Sequence, residues 1–228
     1  MNKDKVIAII LARKNSLRLK NKLSLKIGNL NILEFFYHRL SKCKNIDKIV
    51  MAVPKSDKLF FDKIAKNIHI PIHYGPEKNV LKRFYDTSVA YNYKYIVRAN
   101  ADCPLIMPNL IDKNIKRFKL NNCDLFTPFR FNYNPFGSSL CIFKISAIRK
   151  IFKLATKIQH KEHIENFCFD NERFFKIMYD DQSSINLSHI NLTLDTDIDY
   201  RFILELYNHL KNQTVNTQFN YLCQIYKK

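Results

Sequence analysis

The sequence predicts an α/β protein built on a doubly wound, mainly parallel sheet with helices on both faces. Three observations carry that expectation. Apolar, β-branched runs alternate with stretches of helical spacing through the first half of the chain, the pattern of successive right-handed βαβ units. The first run, residues 6–12, is apolar without interruption, as a strand covered on both faces must be. The 228 residues, 46% hydrophobic with 18 Phe and 12 Tyr, suffice for a substantial core in one domain.

Element by element, residues 6–12 read as a central strand, followed by a Lys- and Arg-studded stretch, 13–22. Ile32, Leu33, Phe35, Phe36, His38, Arg39 and Leu40 fall at helical spacing. Residues 48–53 read as a strand ended by Pro54. Residues 56–67 read as a helix with Leu59, Phe60, Ile64 and Ala65 inward, and 70–74 as a strand closed by Gly75-Pro76. A helix over 79–91 turns Val80, Leu81, Phe84 and Ala90 inward. A strand at 95–98 is broken by Asp102-Cys103-Pro104, and a helix at 109–118 leads to a strand at 124–127. The second half is less regular: strands at 140–145, 174–178 and 190–194, and helices at 147–154, 161–169 and 197–210. Asp197 is the N-cap candidate of the last. One domain spanning 1–228 is expected, with 128–180 as an insertion or lid.

Composition narrows the function. With 38 Lys+Arg against 20 Asp+Glu the net charge is +18, which suits an anionic partner, either nucleic acid or a phosphate-rich small molecule. The Lys, Asn, Ile and Phe richness runs through the whole chain, as one compositional bias would make it. The aromatic residues are interleaved at core spacing rather than clustered along a basic groove, which disfavours a single-strand nucleic-acid surface. There are 3 glycines, Gly28, Gly75 and Gly137, too dispersed for a P-loop or a G-x-G-x-x-G turn. The six cysteines show no C-x-x-C spacing and read as buried thiols of a reducing compartment. No stretch reaches the roughly 18 apolar residues of a membrane helix. Arg13-Lys14-Asn15-Ser16, rather than a small-residue cleavage site, follows the first strand. A cytoplasmic protein with no membrane or nucleic-acid partner is the expectation.

Several constellations could carry chemistry. The loop from Leu11 to Lys22 places five cations and Ser16 at the end of a buried strand, where a triphosphate could be held without glycine. Asp102 follows the strand at 95–98, and Asp195 follows the run at 190–194. In doubly wound sheets ligands gather at the carboxyl ends of strands, where two converging acids can hold Mg²⁺. Taken singly, Asp102 reads as a turn residue and Asp195 or Asp197 as a helix cap. Gly75-Pro76 leads into a helix that carries Arg83 one turn in. His160 and His163 flank Glu162, but the spacing is not that of H-E-x-x-H.

These residues resemble a known family. Leu11-Ala12-Arg13-x-x-Ser16-x-Arg18-Leu19-x-x-Lys22 is similar to the signature of the sugar-acid cytidylyltransferases, the CMP-sialic acid and CMP-Kdo synthetases among them. Later motifs resemble the spore-coat-polysaccharide branch: Gly75 with Asn79-Val80-Leu81-x-Arg83, Val97-Arg98-x-Asn100-x-Asp102-Cys103-Pro104-Leu105-Ile106, Glu162-His163-Ile164, and Thr193-Leu194-Asp195-Thr196-x-x-Asp199. Five motifs match in order over most of the chain. The resemblance implies a Rossmann-like, nucleotide-diphospho-sugar transferase-like fold and a homodimer, with 128–180 as an acceptor-binding or dimerisation insertion. It implies transfer of CMP from CTP to a sugar acid, with Mg²⁺ as cofactor, pyrophosphate as product and surface glycan as destination. It places Arg13, Ser16, Arg18 and Lys22 on the triphosphate and Leu11, Ala12, Arg83 and Asn100 near the cytidine. Asp102 and Asp195 would hold the metal, and Gly137, Glu162 and His163 would face the acceptor, with Arg13, Lys22 and Asp102 catalytic. The departures are Lys20-Asn21-Lys22 for Pro-Gly-Lys, Asn79 for Asp, Lys161 for the Arg before Glu162, and Ser139 and Cys141 for the two acids of P-x-G-x-D-x-E. Thr193 stands where sialic acid synthetases carry a second Asp. Two rival readings are a CTP-binding protein that has lost catalysis and a basic nucleic-acid-binding protein.

Overall fold

A computed structural model describes residues 2–14, 19, 21–130, 133–180, 186–214 and 217–226. Among these, seven strands form one sheet in the order β5-β4-β1-β6-β8-β7-β9. They are β1 (Asn2–Leu11), β4 (Lys48–Pro54), β5 (Ile72–Gly75), β6 (Tyr93–Asn100), β7 (Leu125–Thr127), β8 (Cys141–Lys144) and β9 (Ile177–Tyr179). β5, β4, β1 and β6 are mutually parallel, whereas β8 runs antiparallel to both β6 and β7. A short antiparallel ribbon, β2 (Lys26–Ile27) with β3 (Leu30–Asn31), lies apart. The doubly wound, mainly parallel expectation is met, with β8 as the reversed strand.

β1 shows why the sheet is covered twice. Val6, Ala8 and Ile10 enter one core, Ile7, Ile9 and Leu11 the other, because successive side chains of a strand point to opposite faces. The first core is roofed by α1 (Ile32–Leu40), α2 (Lys58–Ile68), α4 (Pro108–Asn121), α8 (Asp197–Leu210) and α9 (Gln218–Tyr226). The second is covered by α3 (Val80–Tyr91), α5 (Ile145–Leu154) and α7 (Ile164–Asp170). Each fully buried Ile or Val here contributes on the order of 2 kcal/mol. The chain leaves β1 toward β4 by α1 and returns past it to β6 by α3. The strand order therefore reverses at β1, and the crevice at its carboxyl end is where ligands bind in such folds.

The structure corrects several local expectations. Leu59 is 82% exposed, and the buried face of α2 is Phe61, Ile64, Ala65 and Ile68, one residue out of the expected phase. Ala90 is likewise exposed. Residues 190–194 do not form a strand: a lone bridge joins Phe136 to Asn191, because Asn191 folds its side chain back onto the Thr193 amide and hydroxyl. The expected helix at 161–169 is two, α6 (Ile158–Glu162) and α7, broken at His163. The strand expected at 174–178 is confined to β9, after a turn of 3-10 helix at Glu172–Phe174. Thr196, not Asp197, is the N-cap of α8, in a capping box with Asp199. The stretch 128–180 contributes β8 between β6 and β7 together with α5, α6, α7 and β9. Among the described residues, no helix is long and apolar enough to cross a membrane.

α9 had no counterpart in the sequence reading. It is held by polar chemistry. Arg39 of α1, 5% exposed, donates from Nε and Nη2 to the Ile106 carbonyl at 2.8 and 2.6 Å and from Nη1 to Gln218 Oε1 at 2.7 Å. Gln218 in turn donates to the Leu210 carbonyl at 3.0 Å, joining α8 to α9. Burial lowers the Arg39 pKa to about 10, so the guanidinium stays charged and needs these partners.

Two stability predictions follow from these contacts. Gln218→Ala removes an acceptor from a buried cation, and urea unfolding is expected to show a loss of about 2–3 kcal/mol. Gly137 has φ +84°, and a Cβ added there would meet the backbone of Leu192 and Thr193 at 3.2–3.3 Å. Gly137→Ala is expected to cost about 1–2 kcal/mol in the same assay.

Candidate active site

The site forms where β1 ends. Leu11 pairs with Ala52 of β4 and Asn100 of β6, so the loops after all three strands rise from one edge. Ala12 is buried, and Arg13 and Lys14 are the first charges the chain shows beyond the strand. The Lys14 amide donates to Asp57 Oδ2 at 2.9 Å, which ties this loop to the turn after β4. Sequence reasoning missed Asp57. Its signal was an acid four residues beyond an apolar strand, the placement that singled out Asp102. Ser16 and Arg18 lie outside the described residues.

Lys22 re-enters the interior. Asn21, just before it, has φ +54°, the left-handed region in which glycine is easiest and asparagine next best. That is the physical reason Asn21 can stand where the family pattern has glycine. Lys22 Nζ then donates to the Leu194 carbonyl at 2.5 Å and to Asp195 Oδ1 at 3.1 Å, and lies 3.8 Å from Asp102 Oδ2. The two acids expected to converge do so, on one ammonium. The join is also made in the backbone, where the Leu194 amide donates to the Asp102 carbonyl at 2.8 Å. The Cys103 thiol beside Asp102 is pushed well above its ordinary pKa by burial and by that carboxylate, so it stays protonated and donates to Asp102 Oδ1 at 3.6 Å.

The other acids near Asp195 are assigned by their contacts. Asp199 Oδ2 accepts from the Asp195 and Thr196 amides and from the Thr196 hydroxyl, so it caps α8. Asp197 is exposed. Among the described residues, no three His, Cys, Asp or Glu side chains stand together to hold a metal. The protein offers two carboxylates, and that donor set fits Mg²⁺, which is commonly held by one or two carboxylates with substrate phosphates and water completing the shell. His160 faces Asp170, its Nε2 2.9 Å from Oδ2, and contributes to no metal cluster.

Arg83 behaves differently from its expected role near a base. It is 2% exposed and turned inward. It donates from Nε to the Ala52 carbonyl at 3.1 Å and from Nη1 to the carbonyls of Pro76 and Glu77 at 2.5 and 3.4 Å. Burial, and then the nearby Arg13 charge, lowers its pKa to about 10. Arg83 therefore braces the Pro76-Glu77 turn against the end of β4, next to Leu11. The fit is close: a Cβ on Gly75 would fall 2.9 Å from Arg83 Cγ.

On the far side, Gly137 packs on Leu192 and Thr193, and the Met107 amide donates to the Ser138 carbonyl at 2.8 Å. This turn thus borders both the start of α4 and the run leading to Asp195. Ser139 and Cys141, where the family pattern has acids, are each 1% exposed. Ser139 Oγ accepts from Asn114 at 3.1 Å, and the Cys141 thiol lies against Thr127. Both departures are absorbed inside the packing. Glu162 and His163 are exposed at the break between α6 and α7, with Glu162 Oε1 3.5 Å from Arg13 Nη2. Asn100 ends β6 beside Leu11, half-buried.

Comparison with known proteins identifies the family. A family model described as cytidylyltransferase matches residues 7–224. An uncharacterized protein of Methanocaldococcus jannaschii is 35% identical over 208 residues, covering 90% of this chain and 84% of that protein. The spore coat polysaccharide biosynthesis protein SpsF of Bacillus subtilis is 25% identical over 212 residues, covering 89% and 86%. The structure of a cytidylyltransferase from Leptospira borgpetersenii superposes with a TM-score of 0.88 at 26% identity, covering 97% of this chain and 93% of that one. A sheet that reverses at β1, a cation-lined loop at its end and two acids meeting on Lys22 thus stand in a chain that belongs to the cytidylyltransferase family, whose members are CTP-dependent enzymes.

Proposed function

We propose that this enzyme transfers CMP from CTP to a sugar acid of the 2-keto-3-deoxy type or a close relative, for a surface glycan. The observation that carries the reading is Lys22, whose ammonium meets Asp195 and Asp102 at the carboxyl edge of the sheet. The B. subtilis relative's role in polysaccharide synthesis supports the glycan destination.

In the reaction an acceptor hydroxyl oxygen bonds to the α-phosphorus, the bond from that phosphorus to the β-bridging oxygen breaks, and pyrophosphate leaves as the hydroxyl proton departs. Catalysis of this kind is mostly positioning and charge neutralisation. Arg13 and Lys22, with Ser16 and Arg18, hold the triphosphate. Lys22 reaches it by exchanging Asp195 and the Leu194 carbonyl for phosphate oxygens. Asp102 and Asp195, both oxygen donors, would then hold Mg²⁺, which when bound would supply positive charge to the α-phosphate and the leaving pyrophosphate. Leu11 and Asn100 flank the cytidine with Ala12, and Arg83 keeps that wall in place from behind. Gly137, Glu162 and His163 face the acceptor.

Calorimetric titration in Mg²⁺ is expected to show CTP binding that ATP, GTP and UTP do not match, and pyrophosphate release is expected with a member of a 2-keto sugar-acid panel. CTP binding with no release across such a panel would support the degenerate alternative. Lys22→Met and Arg13→Ala are each expected to lower pyrophosphate release by a hundredfold or more, on the order of the loss of one transition-state charge contact, with the thermal unfolding transition retained. Asp102→Asn is expected to raise the Mg²⁺ concentration for half-maximal activity by about tenfold. An unchanged Mg²⁺ response would remove Asp102 from the metal site.

A further inference from the structure

The break between α6 and α7 is joined to the sheet by a buried ion pair from β6. Arg98 lies in β6, and both it and Glu165 are buried, their side chains 6% and 7% exposed. Arg98 Nη1 donates to Glu165 Oε2 at 3.0 Å, and Nη2 donates to the Glu162 carbonyl at 3.4 Å. Glu165 sits in the first turn of α7 and Glu162 is the last residue of α6, so one guanidinium grips both sides of the elbow. His160 and Asp170 close α6 on α7, so the two short helices are held as a unit. A buried ion pair tolerates little displacement, because a parted charge is left unsolvated. The elbow is therefore placed by β6, the strand whose end leads to Asp102. From it the Glu162 carboxylate reaches Arg13, and here both side chains are half-exposed, so this outer pair is weak and exchangeable.

We propose that Arg98 and Glu165 are positioning residues that hold Glu162 on Arg13, so that Glu162 and the nucleotide triphosphate compete for one guanidinium. This rests on the reading that Arg13 grips the triphosphate. In the nucleotide-free enzyme Arg13 is latched by Glu162. When the triphosphate takes Arg13, the Glu162 carboxylate is released beside His163, on the side where the acceptor enters. Two anions that share one cation weaken each other's hold reciprocally, so the acceptor side is completed only once the nucleotide is seated.

The test is calorimetric titration with CTP in Mg²⁺ of the wild type, Glu162→Gln, the paired change Arg98→Met with Glu165→Leu, and the triple variant. The paired change removes one charge of each sign, so its net effect on long-range attraction of CTP is nil, and apolar replacement of a buried pair commonly leaves a folded protein. Glu162→Gln is expected to bind CTP about threefold tighter, the order of one half-exposed ion pair. The paired change is expected to show the same gain, and the triple variant no more than either. Arg98→Lys, which keeps a charge for Glu165 but loses the fork that also holds the Glu162 carbonyl, is expected to gain likewise and serves if the paired variant does not fold. Gains that multiply in the triple variant, or a gain confined to Glu162→Gln, would overturn the inference while leaving the CTP site intact. A wild type that binds no CTP at millimolar concentration would overturn both.

Discussion

A strand buried on both faces holds a charge only where a buried counter-charge meets it, and β1, from Val6 onward, has no such partner, so most of this architecture follows from that constraint on it. From Val6 to Ala12 each side chain enters one core or the other. The first residue free to be cationic is Arg13, at the edge where the sheet order reverses. A charged loop is thereby anchored by an apolar strand and cannot drift from the ends of β4 and β6 that flank it. The few glycines fit this arrangement. Rigidity comes from the strand, and the polar grip on the loop comes from side chains such as Asp57 and Lys22 rather than from a glycine-rich turn.

The basic character of the chain takes on a more local meaning in this light. Near the site three described cations are paired with acids: Lys22 with Asp195 and Asp102, Arg13 with Glu162, Arg98 with Glu165. The pairs are graded by burial. Arg98 and Glu165 are sealed in, Lys22 is buried with half-open partners, and Arg13 is at the surface. Burial sets how readily a cation can change partners, since separating a sealed pair strands a charge while an exposed one is rescued by water. The gradient runs from supports that must not move to groups that must.

Much of the fold was legible because β-branched runs and helical spacing repeat with little interference through residue 127. Errors came where local chemistry outweighed periodicity. Leu59 and Phe61 are both apolar and two apart, so spacing alone could not choose which faces inward. Asn191 satisfies Thr193 locally and stops a strand that the apolar alternation suggested. α9 escaped notice because its anchor, Gln218, is polar, and only its partner Arg39 on a distant helix explains its burial. At the candidate site, the convergence of Asp102 and Asp195 was legible from strand ends and motif order. The pairing of Arg98 with Glu165 was not, because it joins residues 67 apart through the tertiary fold. Ser139 and Cys141, which replace the two acids of the family pattern, are buried, a placement that spacing in the sequence did not reveal.

The long reach of these contacts bears on when the enzyme becomes an enzyme. Lys22 meets its carbonyl partner 172 residues later, and Arg39 meets Gln218 179 residues later. Contacts of such separation form late in folding, after the loop entropy between them has been overcome. During synthesis the sheet from β1 to β6 can assemble while Lys22 and Arg39 still lack the partners that the chain supplies last, the Leu194 carbonyl and Gln218. The nascent chain would thus carry a folded scaffold whose charged edge is unfinished. The partners of Lys22 and Arg39 that complete it arrive only with the last quarter of the sequence.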